Sequence, residues 1–101
     1  MSATPKFAEF QQMDRRLSIL QCLAAAAQYR VNVGLIQRYC DAVGHAVSRD
    51  RLYADLTWLS EQALVEVNDS GVWVTTLTER GLDVSSGRAK CPGVAQPQPG
   101  T

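Results

Sequence analysis

The segment ALVEVNDSGVWVTTLTERG, residues 63–81, constrains the fold more than any other part of the chain. Its apolar residues alternate over Leu64–Val67 and again over Val72–Leu77, which predicts two short strands. Asn68–Gly71 supplies the turn residues between them, and Gly71 can adopt a positive φ without steric cost. Because an isolated two-stranded ribbon is only marginally stable in water, this hairpin must pack against other elements.

Helical periodicity accounts for most of the chain before the hairpin. Apolar residues recur at spacings of three and four at Leu17, Leu20, Leu23, Ala24 and Ala27. They predict a first helix that begins at Met13, or as early as Pro5 because Phe7 and Phe10 are also three residues apart. This helix is predicted to end around residues 28–30, where the pattern is interrupted.

Two further helices are predicted between the first helix and the hairpin. Asn32 is a good N-cap for a second helix, and Gly44 ends that helix. Ser48 is predicted to cap a third helix after a short connection. The apolar stripe of the third helix consists of Leu52, Leu56 and Leu59. A connection this short is typical of a helix-turn-helix.

The chain after the hairpin predicts one more helix and then a tail. Thr78 is well placed to cap a short helix through Asp83. Three of the four prolines follow Gly87 and no apolar period remains there, so residues 88–101 are predicted to form a disordered tail. The element order is α-α-α-β-β-α, an α+β fold, with one domain at residues 13–87 and an N-terminal extension at residues 1–12 for which a helix is one interpretation.

Composition and charge narrow the classes of function. Ten basic and ten acidic residues give a formal net charge of zero, so the chain lacks the basic excess of many nucleic-acid binders. No apolar run approaches the roughly 20 residues needed to span a bilayer, and the N-terminus lacks the apolar stretch of a secretory signal. Three cysteines at unrelated spacings favour a reduced, cytoplasmic protein with no membrane partner.

The sequences ADLTWLSEQALVEV and VWVTTLTERGLDVSSGR resemble the winged-helix family, especially bacterial regulators of the ArsR and MarR kinds. The resemblance covers roughly Leu17 to Arg88. Leu59–Val65 matches the family's entry into the wing, except that Ala63 replaces the usual glycine. Leu77–Gly81 looks like the family's leucine-threonine-x-x-glycine restart, and the chain is also similar to small winged-helix proteins of Mu-like prophages. The resemblance implies a winged helix-turn-helix with three helices, a two-stranded hairpin as the wing and a short C-terminal helix.

The resemblance also implies a transcriptional regulator that binds double-stranded DNA, with the third helix in the major groove and the wing beside the backbone. The residues carried over as DNA contacts are Arg38, Ser48, Arg49, Arg51, Tyr53 and Thr57. Arg49 and Arg51 have the charge and reach for guanine edges or phosphates. Arg38, on the second helix, would add a backbone contact.

The residues themselves give two reasons against DNA binding. Asp50 and Asp55 on the third helix would repel phosphates. Together with Glu61 they outnumber the two arginines of residues 48–62, which leaves a net charge of minus one. The wing tip carries Asp69 and no lysine or arginine. DNA binding is therefore predicted from the resemblance more than from charge.

The alternative is a protein-interaction module, such as a phage assembly or host-interaction protein, that keeps the fold without binding DNA. Trp73 is its first candidate surface, because either Trp73 or its neighbours Val72 and Val74 must face outward on the hairpin. Tight packing of Trp73 against the helices is the competing interpretation. Trp58 lies beside the leucine stripe and is expected in the core.

A homodimer is predicted on two grounds. Winged-helix regulators commonly pair to match two half-sites of an operator, so the resemblance implies a second copy. In addition, Phe7, Phe10 and Met13 continue a helical spacing beyond what a small core needs.

No metal, cofactor or enzyme activity is predicted. The available metal ligands are Cys22, Cys40, His45 and Cys91. They lack the close spacing that makes a sensor site persuasive. The sequence also contains no glycine-rich phosphate loop, nucleophile elbow or paired-carboxylate arrangement.

Overall fold

The computed structural model describes residues 3–98, with side chains from residue 6 onward, as an α+β fold of helices and one antiparallel sheet. The elements are α1 (Ala3–Ala25), a 3-10 turn (Ala27–Tyr29), β1 (Arg30–Asn32), α2 (Val33–Ala42), α3 (Arg49–Glu61), β2 (Val65–Asn68), β3 (Val74–Leu77) and α4 (Glu79–Ser86). The predicted α+β class is confirmed. The sheet, however, has three strands among the described residues, one more than the predicted hairpin.

The additional strand, β1, lies between the first two helices. It pairs antiparallel with β3, with Arg30 opposite Thr76 and Asn32 opposite Val74, so the strand order is β1-β3-β2. The predicted first helix reaches residues 28–30, up to the start of this strand. Instead α1 ends at Ala25, and Gln28 and Tyr29 take positive φ values of 58° that turn the chain into the strand. A three-residue strand with one buried residue shows too little alternation to be recognised from sequence.

All three predicted N-caps are present. The side chains of Asn32, Ser48 and Thr78 accept hydrogen bonds from the backbone N–H groups of the third residues of α2, α3 and α4. These bonds satisfy N–H groups that have no partner within the helix itself. Helix α4 continues to Ser86, beyond its predicted end at Asp83, and Gly87 ends it with φ +87°.

The end of α3 and the start of α4 are in contact, through Ala63 and Leu64 on one side and Thr78 and Gly81 on the other. Ala63 takes φ +63°, the left-handed conformation that glycine adopts more easily, and it stands where the resemblance led us to expect a glycine. The Thr78 hydroxyl donates to the Ala63 carbonyl at 2.8 Å. A Cβ on Gly81 would lie 2.1 Å from the Leu64 carbonyl oxygen, so only glycine fits at this position in the first turn of α4.

The core lies between the C-terminal half of α1, the inner faces of α2 and α3, and the sheet. Its largest fully buried apolar side chains are Ile19, Leu20, Leu23, Val33, Ile36, Leu52, Leu56, Leu59, Leu64 and Val65. The predicted stripe of α3 is thus buried in full. By contrast, the N-terminal turns of α1 project from this core, and Phe7 and Phe10 are 64% and 57% exposed. Residues 1–2 of the predicted extension lie outside the described residues.

The segment after α4 differs from the predicted disordered tail. Cys91 and Val94 are buried at 3% and 4% exposure. The Ala95 amide donates to the Met13 carbonyl at 3.1 Å, which fixes the segment along α1. Irregular backbone of this kind packs through isolated residues and therefore has no periodicity to read in the sequence. Residues 99–101 of the predicted tail lie outside the described residues.

Candidate nucleic-acid interface

Helices α2 and α3 are joined by residues 43–48 and are held together by Gln37. The Gln37 Nε2 donates to the Val47 carbonyl of the connection at 3.1 Å. Its Oε1 accepts from the Arg49 Nε of α3 at 2.9 Å. One side chain of α2 thus fixes the connection and the first residue of α3. Gln37 is not among the predicted site residues, because a single glutamine beside a helical stripe carries no distinct signal.

Helix α3 has an inner face that is buried and an outer face that is exposed. The buried residues are Leu52, Asp55, Leu56 and Leu59. The exposed residues are Arg49, Asp50, Arg51, Ala54, Thr57, Ser60 and Glu61. At 3.6 residues per turn, the midline of the exposed face consists of Asp50, Ala54, Thr57 and Glu61. The predicted contact residue Thr57 therefore lies at the centre of the exposed face.

Asp55 lies on the inner face and not, as predicted, among the acids that would face phosphates. It is 1% exposed and accepts hydrogen bonds from Nε and Nη2 of Arg15 on α1. Arg16 Nε lies 3.8 Å from Oδ1 of the same carboxylate. The prediction that Asp55 repels phosphates is therefore wrong, because its carboxylate is buried and two arginines compensate its charge. The exposed charges of α3 are then two arginines against Asp50 and Glu61, a balance of zero in place of minus one.

Arg16 connects this ion pair to Trp58 and to the segment after α4. Its Cζ lies 3.8 Å from the centroid of the Trp58 ring, within the range of a cation–π contact. Its Nη1 donates to the Gly93 carbonyl at 3.1 Å. Desolvation by burial lowers the pKa of Arg16, and the nearby Asp55 carboxylate partly offsets that effect. Trp58 is half-buried and packs against the core, as its place beside the leucine stripe suggested.

The two arginines predicted to hold DNA lie on opposite flanks of α3. Arg49 is on the side of α2, where it binds Gln37. Arg51 is on the side of α1, where it lines an open cavity together with Arg15. Ser48 is exposed, and its Oγ accepts from the Arg51 amide as the cap of α3. The N-terminal part of α3 thus presents Ser48, Arg49 and Arg51 around the midline residue Asp50.

Tyr53 and Trp73 join α3 to the hairpin. Their ring centroids are 4.4 Å apart with the planes tilted by 44°. The Trp73 carbonyl also accepts from the Val33 amide, the first residue of α2, at 2.9 Å. Trp73 and Tyr53 are both half-buried, while Val72 is 68% exposed. The pair fixes the hairpin beside α3, a contact between distant residues that sequence patterns do not reveal.

Arg38, the predicted contact on α2, lies on a different surface from Arg49 and Arg51. It is exposed on the wall of a shallow, mostly apolar groove between α1, β1 and α2. The other residues of this groove are Cys22, Ala25, Ala26, Val31, Leu35 and Tyr39. Leu35 is 51% exposed there.

The candidate metal ligands are dispersed. Within residues 3–98, no group of three histidine, cysteine, aspartate or glutamate side chains is placed to hold a metal ion. His45 instead contacts Asp14, with Nε2 and Oδ2 2.9 Å apart. Cys22, Cys40 and Cys91 are buried thiols, and burial raises the pKa of Cys40 to about 11. Over the same residues, no helix is both long and apolar enough to cross a membrane.

Comparison with known proteins gives two relatives that match over most of the chain. An uncharacterized protein of Escherichia phage Mu, gp26, is 47% identical over 87 residues, which cover 85% of this chain and 90% of the Mu protein. An uncharacterized protein of Haemophilus influenzae is 37% identical over 93 residues, with the same coverage of 85% and 90%. No family model and no solved structure matches. The identity to gp26 over nearly its whole length shows that this chain belongs to the phage Mu gp26 family.

Proposed function

We propose that the protein is a winged helix-turn-helix DNA-binding protein whose α3 enters the major groove. The order α1-β1-α2-α3-β2-β3-α4, with the sheet order β1-β3-β2, supports this arrangement. In it, α2 and α3 form the helix-turn-helix and the β2–β3 hairpin lies beside α3 as the wing. The Tyr53–Trp73 contact would hold the wing at a fixed distance from the recognition helix.

The burial of Asp55 is the observation that carries this proposal. An acid on the outer face of α3 would face phosphates directly, whereas the carboxylate of Asp55 is enclosed between Arg15 and Arg16. The remaining acid in the first two turns is Asp50, against Arg49 and Arg51. The N-terminal part of the exposed face therefore carries one excess positive charge, the sign that duplex binding requires.

Each contact residue has a role that its position permits. Arg49 and Arg51, on the two flanks of α3, would bind the phosphates on either side of the groove or reach guanine edges. Thr57 on the midline would contact a base edge, and the Ser48 hydroxyl would donate to a phosphate while its oxygen caps the helix. Tyr53 would act mainly through its contact with Trp73.

The test is a titration with mixed-sequence duplex DNA at low salt and at several higher salt concentrations. We expect binding that weakens steeply with salt, and a flatter dependence in the Arg49→Ala/Arg51→Ala variant, because two phosphate contacts are removed. The matched control is Arg80→Ala/Arg88→Ala, which removes the same charge from exposed positions in and after α4. Neither pair lies in the core. Arg49→Ala also removes the exposed hydrogen bond to Gln37, which is worth about 1 kcal/mol, so circular dichroism should be unchanged and the melting temperature should fall only slightly.

Two results would contradict the proposal. One is the absence of duplex affinity in the wild-type protein at low salt. The other is an equal loss of duplex affinity in both double variants. That result would show that binding depends only on net charge and that α3 makes no specific contact with DNA.

A transcriptional role and a homodimer form the finer part of the proposal. Phe7 and Phe10 are exposed apolar residues on one projecting end of α1, and a second copy could cover them. Sedimentation should show a dimer that Phe7→Ser/Phe10→Ser converts to monomer. Val72→Ser, at another exposed apolar residue, is the control and should leave the dimer intact. A wild-type monomer at high concentration would exclude the pairing.

A protein-interaction module is the second candidate function. It is favoured by the apolar groove between α1 and α2, where Leu35 is half exposed next to Tyr39. Trp73, the residue first considered for this role, has much of its ring against Tyr53 and so offers less free surface. This candidate replaces the first if the wild-type protein shows no duplex affinity and if Leu35→Asp abolishes a partner contact that Arg49→Ala/Arg51→Ala leaves unchanged.

A further inference from the structure

An open cavity of about 260 Å³ lies between the N-terminal half of α1 and the first turn of α3. Its lining residues are Ala8, Glu9, Gln11, Gln12, Arg15 and Arg51. Five of these six carry polar groups, and the volume is several times the roughly 30 Å³ that one molecule occupies in liquid water. The cavity therefore has room for a small polar ligand together with some of its hydration.

We propose that this cavity is a binding site for a phosphate-type oxyanion, held by Arg51 and by the side-chain amides of Gln11 and Gln12. A guanidinium group and amide N–H groups are the donors that match a tetrahedral oxyanion. The Arg51 guanidinium forms no hydrogen bond or ion pair with any other side chain of residues 6–98, so all its donors are available. Arg15 uses two of its five N–H donors on Asp55, which leaves three for a ligand.

The charges around the cavity favour an anion. Among the residues that line the cavity, Arg15 and Arg51 stand against Glu9. Asp55 lies behind Arg15 and is shared with Arg16, so these five groups together have one excess positive charge. Arg15 is buried and held by Asp55, whereas Glu9 is exposed and its charge is screened by solvent. Burial lowers the pKa of Arg16, and repulsion from Arg15 and Arg51 adds to this, partly offset by Asp55. A bound oxyanion would relieve the same repulsion.

The oxyanion could be a phosphate of the DNA backbone or a free phosphate group. Arg51 lies on the flank of α3, so a backbone phosphate next to the major groove could enter the cavity from that side. The site itself does not depend on the proposed DNA binding, because inorganic phosphate probes it without any duplex.

The first experiment is a titration of the full chain with inorganic phosphate, followed by NMR or calorimetry, with chloride at equal ionic strength as the reference. We expect saturable binding that Arg51→Gln weakens about tenfold or more, since one charge-assisted contact is lost. Glu9→Gln should strengthen binding about two- to fivefold by removing a screened repulsion. Arg80→Gln, which removes the same charge on α4, should leave it unchanged.

The outcomes separate this site from the proposed function. No saturable phosphate binding, or equal binding in wild type and Arg51→Gln, would overturn the site even if duplex DNA binds. Phosphate binding that follows the expected order supports the site, and a duplex titration then identifies the source. Competition between phosphate and duplex at constant ionic strength would assign it to the DNA backbone, while phosphate binding without any duplex affinity would assign it to a free phosphate group.

Discussion

The two faces of α3 each carry an aspartate, and the surroundings of the two carboxylates differ: one is buried in an ion pair and the other is exposed to solvent. Asp55 on the inner face is enclosed and bound by Arg15, whereas Asp50 on the outer face is exposed in the first turn of the helix. In the sequence both are acids on a helix that was expected to meet DNA. The comparison shows that the charge of a helix surface can be assigned only after the partners of each ionised group are known.

The inner face is unusual because an ion pair interrupts its leucines. Desolvation of two charges is costly, and a buried pair is tolerated only with good geometry and further hydrogen bonds. Arg15 meets that requirement with two N–H groups on the two carboxylate oxygens of Asp55. Two hydrogen bonds between the same pair of side chains require a particular distance and orientation. The pair therefore restricts how far α3 can shift along α1, more than apolar packing alone would.

The largest expected effect comes from breaking this pair. Asp55→Ala should lower the free energy of unfolding by about 3–5 kcal/mol, because the Arg15 and Arg16 charges remain buried without a counter-ion. Asp50→Ala, the same change on the outer face, should cost at most about 1 kcal/mol through the helix dipole. Urea unfolding of both variants measures the difference. Equal losses would mean that the two faces are not as distinct as their burial indicates.

The apolar part of the inner face gives the next effect. Leu56 is fully buried, so Leu56→Ala should lower the free energy of unfolding by about 2–5 kcal/mol through lost burial and a cavity. Thr57→Ala, one position further along, should change it by less than about 0.5 kcal/mol. A change below about 0.5 kcal/mol in Leu56→Ala would contradict the orientation of the helix.

The flank of α3 that carries Trp58 is covered by the segment after α4, which we expect to contribute to stability. Truncation after Gly87 removes Cys91, Val94 and the contacts of Gly93 with Arg16, so we expect a loss of about 1–3 kcal/mol. Truncation after Gln98 removes only residues outside the described part of the chain and serves as the control. Identical thermal melting of the two truncated proteins would show that the segment contributes nothing to stability.

The smallest expected effect has the opposite sign and lies where α3 ends. Ala63→Gly should raise the free energy of unfolding by about 0.5–1 kcal/mol, because glycine adopts φ +63° without steric strain. Greater freedom of glycine in the unfolded chain offsets part of this gain. A loss of stability in thermal melting would show that the alanine methyl group makes packing contacts that outweigh the strain.

Local signals in the sequence were sufficient for the helix caps and for the leucine stripe of α3. Asn32, Ser48 and Thr78 could be recognised because a cap is formed by a residue and its neighbours two or three positions away. The partnership of Arg15 with Asp55 spans 40 residues, and the pairing of β1 with β3 spans a similar interval, so neither leaves a local pattern. The contacts of Gln37 span 10 and 12 residues and the docking of residues 88–95 on α1 spans far more, so these too lie outside the three- and four-residue spacings that a helix pattern shows.

The position of Trp58 gives the molecule an optical reporter of its own. The ring has the Arg16 guanidinium on it at 3.8 Å, and Gly93 lies so near that a Cβ there would approach Trp58 to 2.7 Å. The chain has only two tryptophans, so Trp73→Phe leaves Trp58 as the single emitter. Its fluorescence would then record, in real time and without any label, when residues 88–95 attach to and leave the side of α3.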